Sequence, residues 1–147
     1  MLRTATYVAP SEIAGMGPLH AVPWPLIAIL ASTGILMALV SCFVGMRPRV
    51  ENPVWWGLYG IWIAVVLTWA PDAPFRTILV ASTLAGLLHG ITTALLLDPY
   101  RANNPWHAER TQGPRGKLAA QFIGMGAAIG LGFGAIIGGI AWGMSRL

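Results

Sequence analysis

One imidazole stands inside an apolar segment of this chain, at a place where it could bind a metal-centred cofactor. His89 follows Ile78 by 11 residues and precedes Leu97 by eight, which predicts a position near the middle of a membrane. Polar groups at that depth are costly and tend to be functional. In a helix, the face of His89 would carry small residues at i−7, i−4, i−3, i+3 and i+4, namely Ser82, Ala85, Gly86, Thr92 and Thr93.

An imidazole on so small a face could ligate the iron of a haem or the magnesium of a (bacterio)chlorophyll. The candidate cofactor-binding residues are therefore His89, as axial ligand, with Ala85 and Gly86 leaving room for the macrocycle. A haem with two histidine ligands would need a second chain, because no other histidine lies in an apolar segment. The alternative is that His89 only donates a hydrogen bond to a neighbouring helix. The Ala85-x-x-x-His89 spacing resembles the pigment-ligating helix of bacterial light-harvesting polypeptides.

A second pattern is a row of glycines at every fourth position near the C-terminus, formed by Gly126, Gly130, Gly134 and Gly138. Such a row lets another backbone approach closely, which drives helix association in lipid. It predicts a glycine zipper that packs either within the bundle or against another subunit. The row resembles the glycine-rich helix of the rotary ATPase proteolipid, but the mid-membrane carboxylate of that family is absent here.

Other chemistry has little support in the sequence. The five acidic residues lie in tails and loops without paired spacing, so we predict no catalytic residues and no enzyme. We also predict no metal site, because Asp98 and His107 alone are too few ligands. The single Cys42 cannot form an internal disulfide. The scattered basic residues give no nucleic-acid-binding face.

The composition indicates which solvent surrounds these residues. Of the 147 residues, 56% are apolar and 10% are charged, with a mean hydropathy of +0.67. Soluble domains carry about 25% charged residues, so lipid is the better solvent for this surface. The fold class is therefore an all-α integral membrane protein.

Four apolar segments predict transmembrane helices over about 24–46, 54–70, 78–97 and 118–144, since a span needs about 20 apolar residues. Short connections make neighbouring helices two antiparallel hairpins. An irregular loop at 98–117 and an extramembrane tail at 1–22, without a cleavable signal peptide, complete the predicted organisation. The start of the first helix, His20 followed by Pro23-Trp24-Pro25-Leu26, resembles that of cytochrome oxidase subunit III.

The orientation follows from the basic residues of the short loops. Six lie on the side of the 98–117 loop and three on the opposite side. We therefore expect a multi-pass protein of a bacterial inner membrane, with this loop in the cytoplasm and both termini in the periplasm.

The favoured function is a non-catalytic accessory subunit of an energy-converting membrane complex, photosynthetic or respiratory. Its expected partners are other integral membrane subunits and lipids, and its expected cofactor is a chlorophyll or a haem. The alternative is a small homo-oligomeric transporter or channel, although no Asp, Glu, Lys or Arg lies in the predicted spans.

Overall fold

A computed structural model describes residues 23–147, and within this range the ordered elements are helices. The predicted tail, residues 1–22, and His20 lie outside the described residues. The helices are α1 (Trp24–Phe43), α2 (Pro48–Trp69), α3 (Pro74–Leu95), α4 (Leu97–Asn103) and α5 (Arg115–Met144). Two 3-10 turns, Pro105–His107 and Glu109–Thr111, lie between α4 and α5.

The four predicted membrane helices are confirmed as α1, α2, α3 and α5, each long and apolar enough to cross a membrane. Helix α1 begins at Trp24 as predicted, while the first turns of α2, α3 and α5 lie earlier than the hydropathy indicated. Pro48 and Pro74 stand at the first positions of α2 and α3, where proline fixes φ and its missing N–H costs nothing. Pro53, expected at the start of α2, lies inside it. The added turns bring charged residues such as Arg49 and Arg76 into the helix ends.

Helix α3 is central, and α5 runs antiparallel to it along most of its length. Gly90 meets Phe122, Gly86 meets Gly126, and Ser82 meets Gly130. A Cβ built on Gly86, Gly126 or Gly130 would overlap a backbone carbonyl of the other helix. Gly134 and Gly138 continue the contact. The ideal Cβ position of Gly134 lies 3.1 Å from the Cα of Leu79, and that of Gly138 lies 3.4 Å from the Cα of Phe75. The predicted glycine row therefore faces α3 of its own chain.

Helix α1 packs on another side of α3, where a Cβ on Gly34 would overlap the carbonyl of Ala85. Helices α1 and α2 barely touch, so the arrangement as two packed hairpins is not confirmed. Instead, α2 lies over α3 and α5 and contacts them through large side chains. The buried core includes Ile27 from α1, Trp62 from α2 and Ile137 from α5.

The segment 98–117, expected to be irregular, contains α4 and both 3-10 turns. Two amide side chains tie it to the end of α1. Asn103 Nδ2 donates to the Cys42 carbonyl at 2.9 Å, and Asn104 Nδ2 donates to the Ser41 carbonyl at 2.8 Å. Carbonyls in the last turn of a helix lack internal partners, so these bonds complete α1. Gly45, at φ +74°, ends the turn in a conformation that favours glycine.

Two glycines of α5 test the contact with α3. Gly130→Ala should lower the free energy of unfolding in detergent by about 1–3 kcal/mol, because its methyl group would enter the α3 backbone. Gly132 has nothing within 4 Å of its ideal Cβ, so Gly132→Ala should be neutral or raise stability by up to about 1 kcal/mol. Equilibrium unfolding in mixed micelles measures both variants. Equal stability of the two variants would contradict the contact.

Candidate functional site

His89 lies on α3 towards the end that leads into α4. Because α3 begins at Pro74, its centre falls between Leu84 and Ala85. At 1.5 Å per residue, His89 is displaced from that centre by about 7 Å towards the loop. The expected position near the middle of the membrane therefore shifts towards the side of segment 98–117.

The small residues around His89 face three different neighbours. Ala85 is 2% exposed and packs against Gly34 of α1, away from α5. Gly86 contacts Gly126 of α5. Ser82 lies beneath α2, with its Oγ 3.4 Å from the Tyr59 hydroxyl. The predicted single platform of small residues is thus divided, and Gly86 stays beside His89 in the cavity described below while Ala85 does not.

Helix α2 provides an aromatic wall opposite His89. The side chains that face inward are spaced by four, four, three and four residues, and they are Glu51, Trp55, Tyr59, Trp62 and Val66. Trp55 meets the imidazole of His89 edge to face, with ring centroids 6.0 Å apart. Tyr59 stacks on Trp55 at 5.9 Å and on Phe133 of α5 at 5.7 Å.

This wall was not predicted, because a tryptophan near a helix end is typical of an anchor at the membrane surface. Trp69 fits that role, with 74% of its surface exposed. Trp55 packs inward instead. The spacing of Trp55, Tyr59 and Trp62, which places three rings on one helical face, was the sequence feature that could have indicated the wall.

A cavity of about 480 Å³ lies between α2, α3 and α5 and opens towards the loop. Its lining comprises Glu51, Asn52, Trp55, Trp56, Tyr59, Gly86, His89, His107, Arg110, Gly126, Ile129, Gly130 and Phe133. Three of these are glycines at the α3–α5 contact, which leave part of that wall without side chains. The cavity therefore has the aromatic rings of α2 on one side, and glycine backbone with the side chains of His89, Ile129 and Phe133 on the other.

The imidazole of His89 has unused hydrogen-bonding capacity. Its Nδ1 atom is buried and has no hydrogen-bond partner within residues 23–147. The backbone carbonyl of Gly34 lies beside the ring. Buried polar atoms are nearly always paired in folded proteins, so this unpaired nitrogen makes His89 the candidate residue of the cavity.

The mouth of the cavity is formed by the start of α2 and the two 3-10 turns. Tyr100 stacks on His107 with centroids 6.3 Å apart and planes 6° apart. Arg101 donates through Nε to the Thr111 carbonyl at 3.0 Å, and the Thr111 hydroxyl donates to the His107 carbonyl at 3.1 Å. These contacts hold His107 and Arg110 at the opening.

Two groups of the loop have shifted acidities. Burial lowers the pKa of His107, and the nearby positive charge of Arg110 lowers it further. Burial raises the pKa of Tyr100 to about 12, with Glu51 and Cys42 adding to the effect and Arg110 opposing it. At neutral pH, His107 is therefore uncharged and Tyr100 is protonated. Arg110 and Glu51 are the charged side chains of the lining.

Within the described residues, no three side chains among His, Cys, Asp and Glu come together as metal ligands. Asp98 instead pairs with Arg115 at 2.5 Å.

Comparisons with protein-family models, with curated proteins and with solved structures find no match for this chain. The function is therefore inferred from the site itself.

The acidity of His107 predicts how stability depends on pH. The folded chain resists protonation of His107, while the unfolded chain takes up the proton near pH 6.5. Stability contributed by the neutral ring is thus present above pH 6.5 and is lost as the pH falls below it. The melting temperature of the unchanged chain should fall between pH 7.5 and 5. This decrease should be smaller in His107→Gln, and Arg110→Gln should lessen it only in part. An unchanged pH profile in His107→Gln would contradict this assignment.

Proposed function

We propose that this chain is a non-catalytic subunit of a larger energy-converting membrane complex, photosynthetic or respiratory, and that it holds a chlorophyll or a haem at His89. One observation carries the proposal. The imidazole that lies within the membrane helices lines an aromatic slot, and its Nδ1 atom has no partner among the described residues.

The shape and size of the slot suit a flat cofactor. Its volume of about 480 Å³ lies within the range of cofactor pockets, about 300–1,000 Å³. Gly86, Gly126 and Gly130 form a wall against which a planar ring can lie, and Trp55 and Tyr59 cover the other side. The histidine of a metal site usually donates its second ring N–H to a carbonyl or carboxylate, and the Gly34 carbonyl lies close enough to His89 for this role.

The acidic residues support a binding role over a catalytic one. Asp72 and Glu109 are exposed in connections, and Asp98 is paired with Arg115. Among the described residues, Glu51 is the one carboxylate of the cavity lining, so none of them forms a carboxylate pair with it for acid–base work. The chain would therefore position a cofactor whose reactions depend on its partner subunits.

In this proposal, α3 and α5 form one antiparallel hairpin with the glycine row as a zipper along its seam. Helix α2 adds the wall that covers the cavity. Other integral membrane subunits and lipids would cover the apolar outer faces, which expose Ile29, Leu36 and Leu131.

An absorption spectrum tests the cofactor. The native assembly, purified through a tag on this chain, should show the bands of a haem or a chlorophyll together with further membrane subunits. His89→Leu should remove one cofactor's share of that absorbance, because the axial ligand is gone. Thr92→Val is the matched control, since Thr92 lies one turn away on α3 and does not line the cavity.

An unaltered spectrum in His89→Leu would contradict ligation at this residue. Recovery of the chain as a homo-oligomer without cofactor, with solute flux in liposomes, would favour the transporter or channel instead.

Labelling of introduced cysteines tests the proposed orientation. Gln112→Cys should react only from the cytoplasm, and Asp72→Cys should react only from the periplasm, because basic loops stay inside. Both positions are exposed, and the native Cys42 is buried, which keeps the background low. The reverse accessibility in intact cells would overturn the orientation.

A further inference from the structure

The cavity opens onto the more positive side of the molecule. Residues 47–53 and 98–117 carry six basic and three acidic side chains, a net charge of +3. The opposite side of the described chain carries Arg76, Arg146 and Asp72, a net charge of +1. The lining carries one charge of each sign, Arg110 and Glu51, so an anionic group would be attracted to the side of the cavity that carries Arg110.

Arg110 is the cation that reaches the cavity itself. Within residues 23–147, the one ion pair is that between Asp98 and Arg115. Arg110 therefore has no carboxylate of these residues within ion-pair distance. The other charged residue of the lining, Glu51, lies beside the indole N–H of Trp55. Asn52 and the neutral His107 complete the polar mouth.

The backbone that carries Arg110 is fixed. Its neighbour Thr111 is 4% exposed. The Thr111 carbonyl accepts a hydrogen bond from the Arg101 side chain, and the Thr111 hydroxyl donates to the His107 carbonyl. The guanidinium group therefore extends from an ordered turn at the opening. His89 and Arg110 line the same cavity, so a ligand held at His89 can extend towards this guanidinium group.

We infer that the ligand of this cavity carries a carboxylate at its edge towards the loop, and that Arg110 pairs with this carboxylate; the inference rests on the proposed cofactor site at His89. Arginine binds carboxylates through charge-assisted, often bidentate hydrogen bonds. Among tetrapyrroles, this chemistry selects a haem with free propionates over a chlorophyll, whose corresponding acid groups are esterified. Glu51 would repel a carboxylate placed near α2, which directs the acid towards Arg110.

Two porphyrins that differ only in their acid groups test the inference. The full-length chain, in nanodiscs of zwitterionic lipid, is titrated with haemin and with haemin dimethyl ester while the Soret band is followed. Haemin should bind more tightly than the ester. Arg110→Gln should weaken haemin binding about fivefold, as expected for an exposed ion pair, and should leave ester binding unchanged.

Lys117→Gln is the matched control, because it removes one positive charge from the same side without touching the cavity. It should change haemin binding by less than about twofold, since exposed charges at a distance are screened by salt. Added sodium chloride should weaken the binding of haemin and not that of the ester.

The outcomes separate the two proposals. Equal binding of both porphyrins, with no effect of Arg110→Gln, overturns the carboxylate pairing. If His89→Leu still abolishes the Soret shift in that case, the cofactor site stands. Failure of both porphyrins to bind overturns the carboxylate pairing and the haem, and the absorption spectrum of the native assembly then decides on a chlorophyll. A Soret shift that survives in His89→Leu overturns the cofactor site and the carboxylate pairing together.

Discussion

The contact between the backbones of α3 and α5 determines the rest of this structure. Gly86, Gly126 and Gly130 let the two helices approach until a single added methyl group would collide with a carbonyl. Lipid gives no hydrophobic drive for helix association, so close packing and weak interhelical contacts must supply it. The same contact leaves part of one cavity wall without side chains. Stability and the shape of the site thus depend on the same three residues.

Hydropathy alone predicted the membrane helices, because hydrocarbon demands long apolar runs whatever their neighbours are. The helix ends were less predictable. Pro48 and Pro74 begin helices, whereas Pro53, which looked like a beginning, is accommodated in the second turn of α2. Composition also gave no sign that Asn103 and Asn104 would complete the last turn of α1. That role depends on a contact between residues about 60 positions apart, which local patterns do not contain.

The candidate site was predicted in part. His89 was singled out by its polarity within an apolar segment, and Gly86 by its spacing, and both line the cavity. Ala85 shares the face of His89 on a helical wheel but contacts α1, because the wheel does not say where neighbouring helices lie. Trp55 and Arg110 were missed for a related reason. Tryptophan at a helix end and arginine in a loop have ordinary uses at a membrane surface, and only the fold turns them towards one opening.

Helix α2 contacts its neighbours through side chains, whereas α3 and α5 meet through their backbones, and this difference has a consequence for the selectivity of the pocket. Positions 86, 126 and 130 cannot accept any side chain without moving a helix, so that wall is invariant in shape. The opposing rings at positions 55, 56 and 59 meet their neighbours through side chains alone, and exchanging one ring for another alters the space without disturbing the α3–α5 seam. The shape of the aromatic side of the pocket therefore depends on α2, while Arg110 in the loop acts on the charge of the ligand, so changes in α2 alone would alter which ring shapes fit.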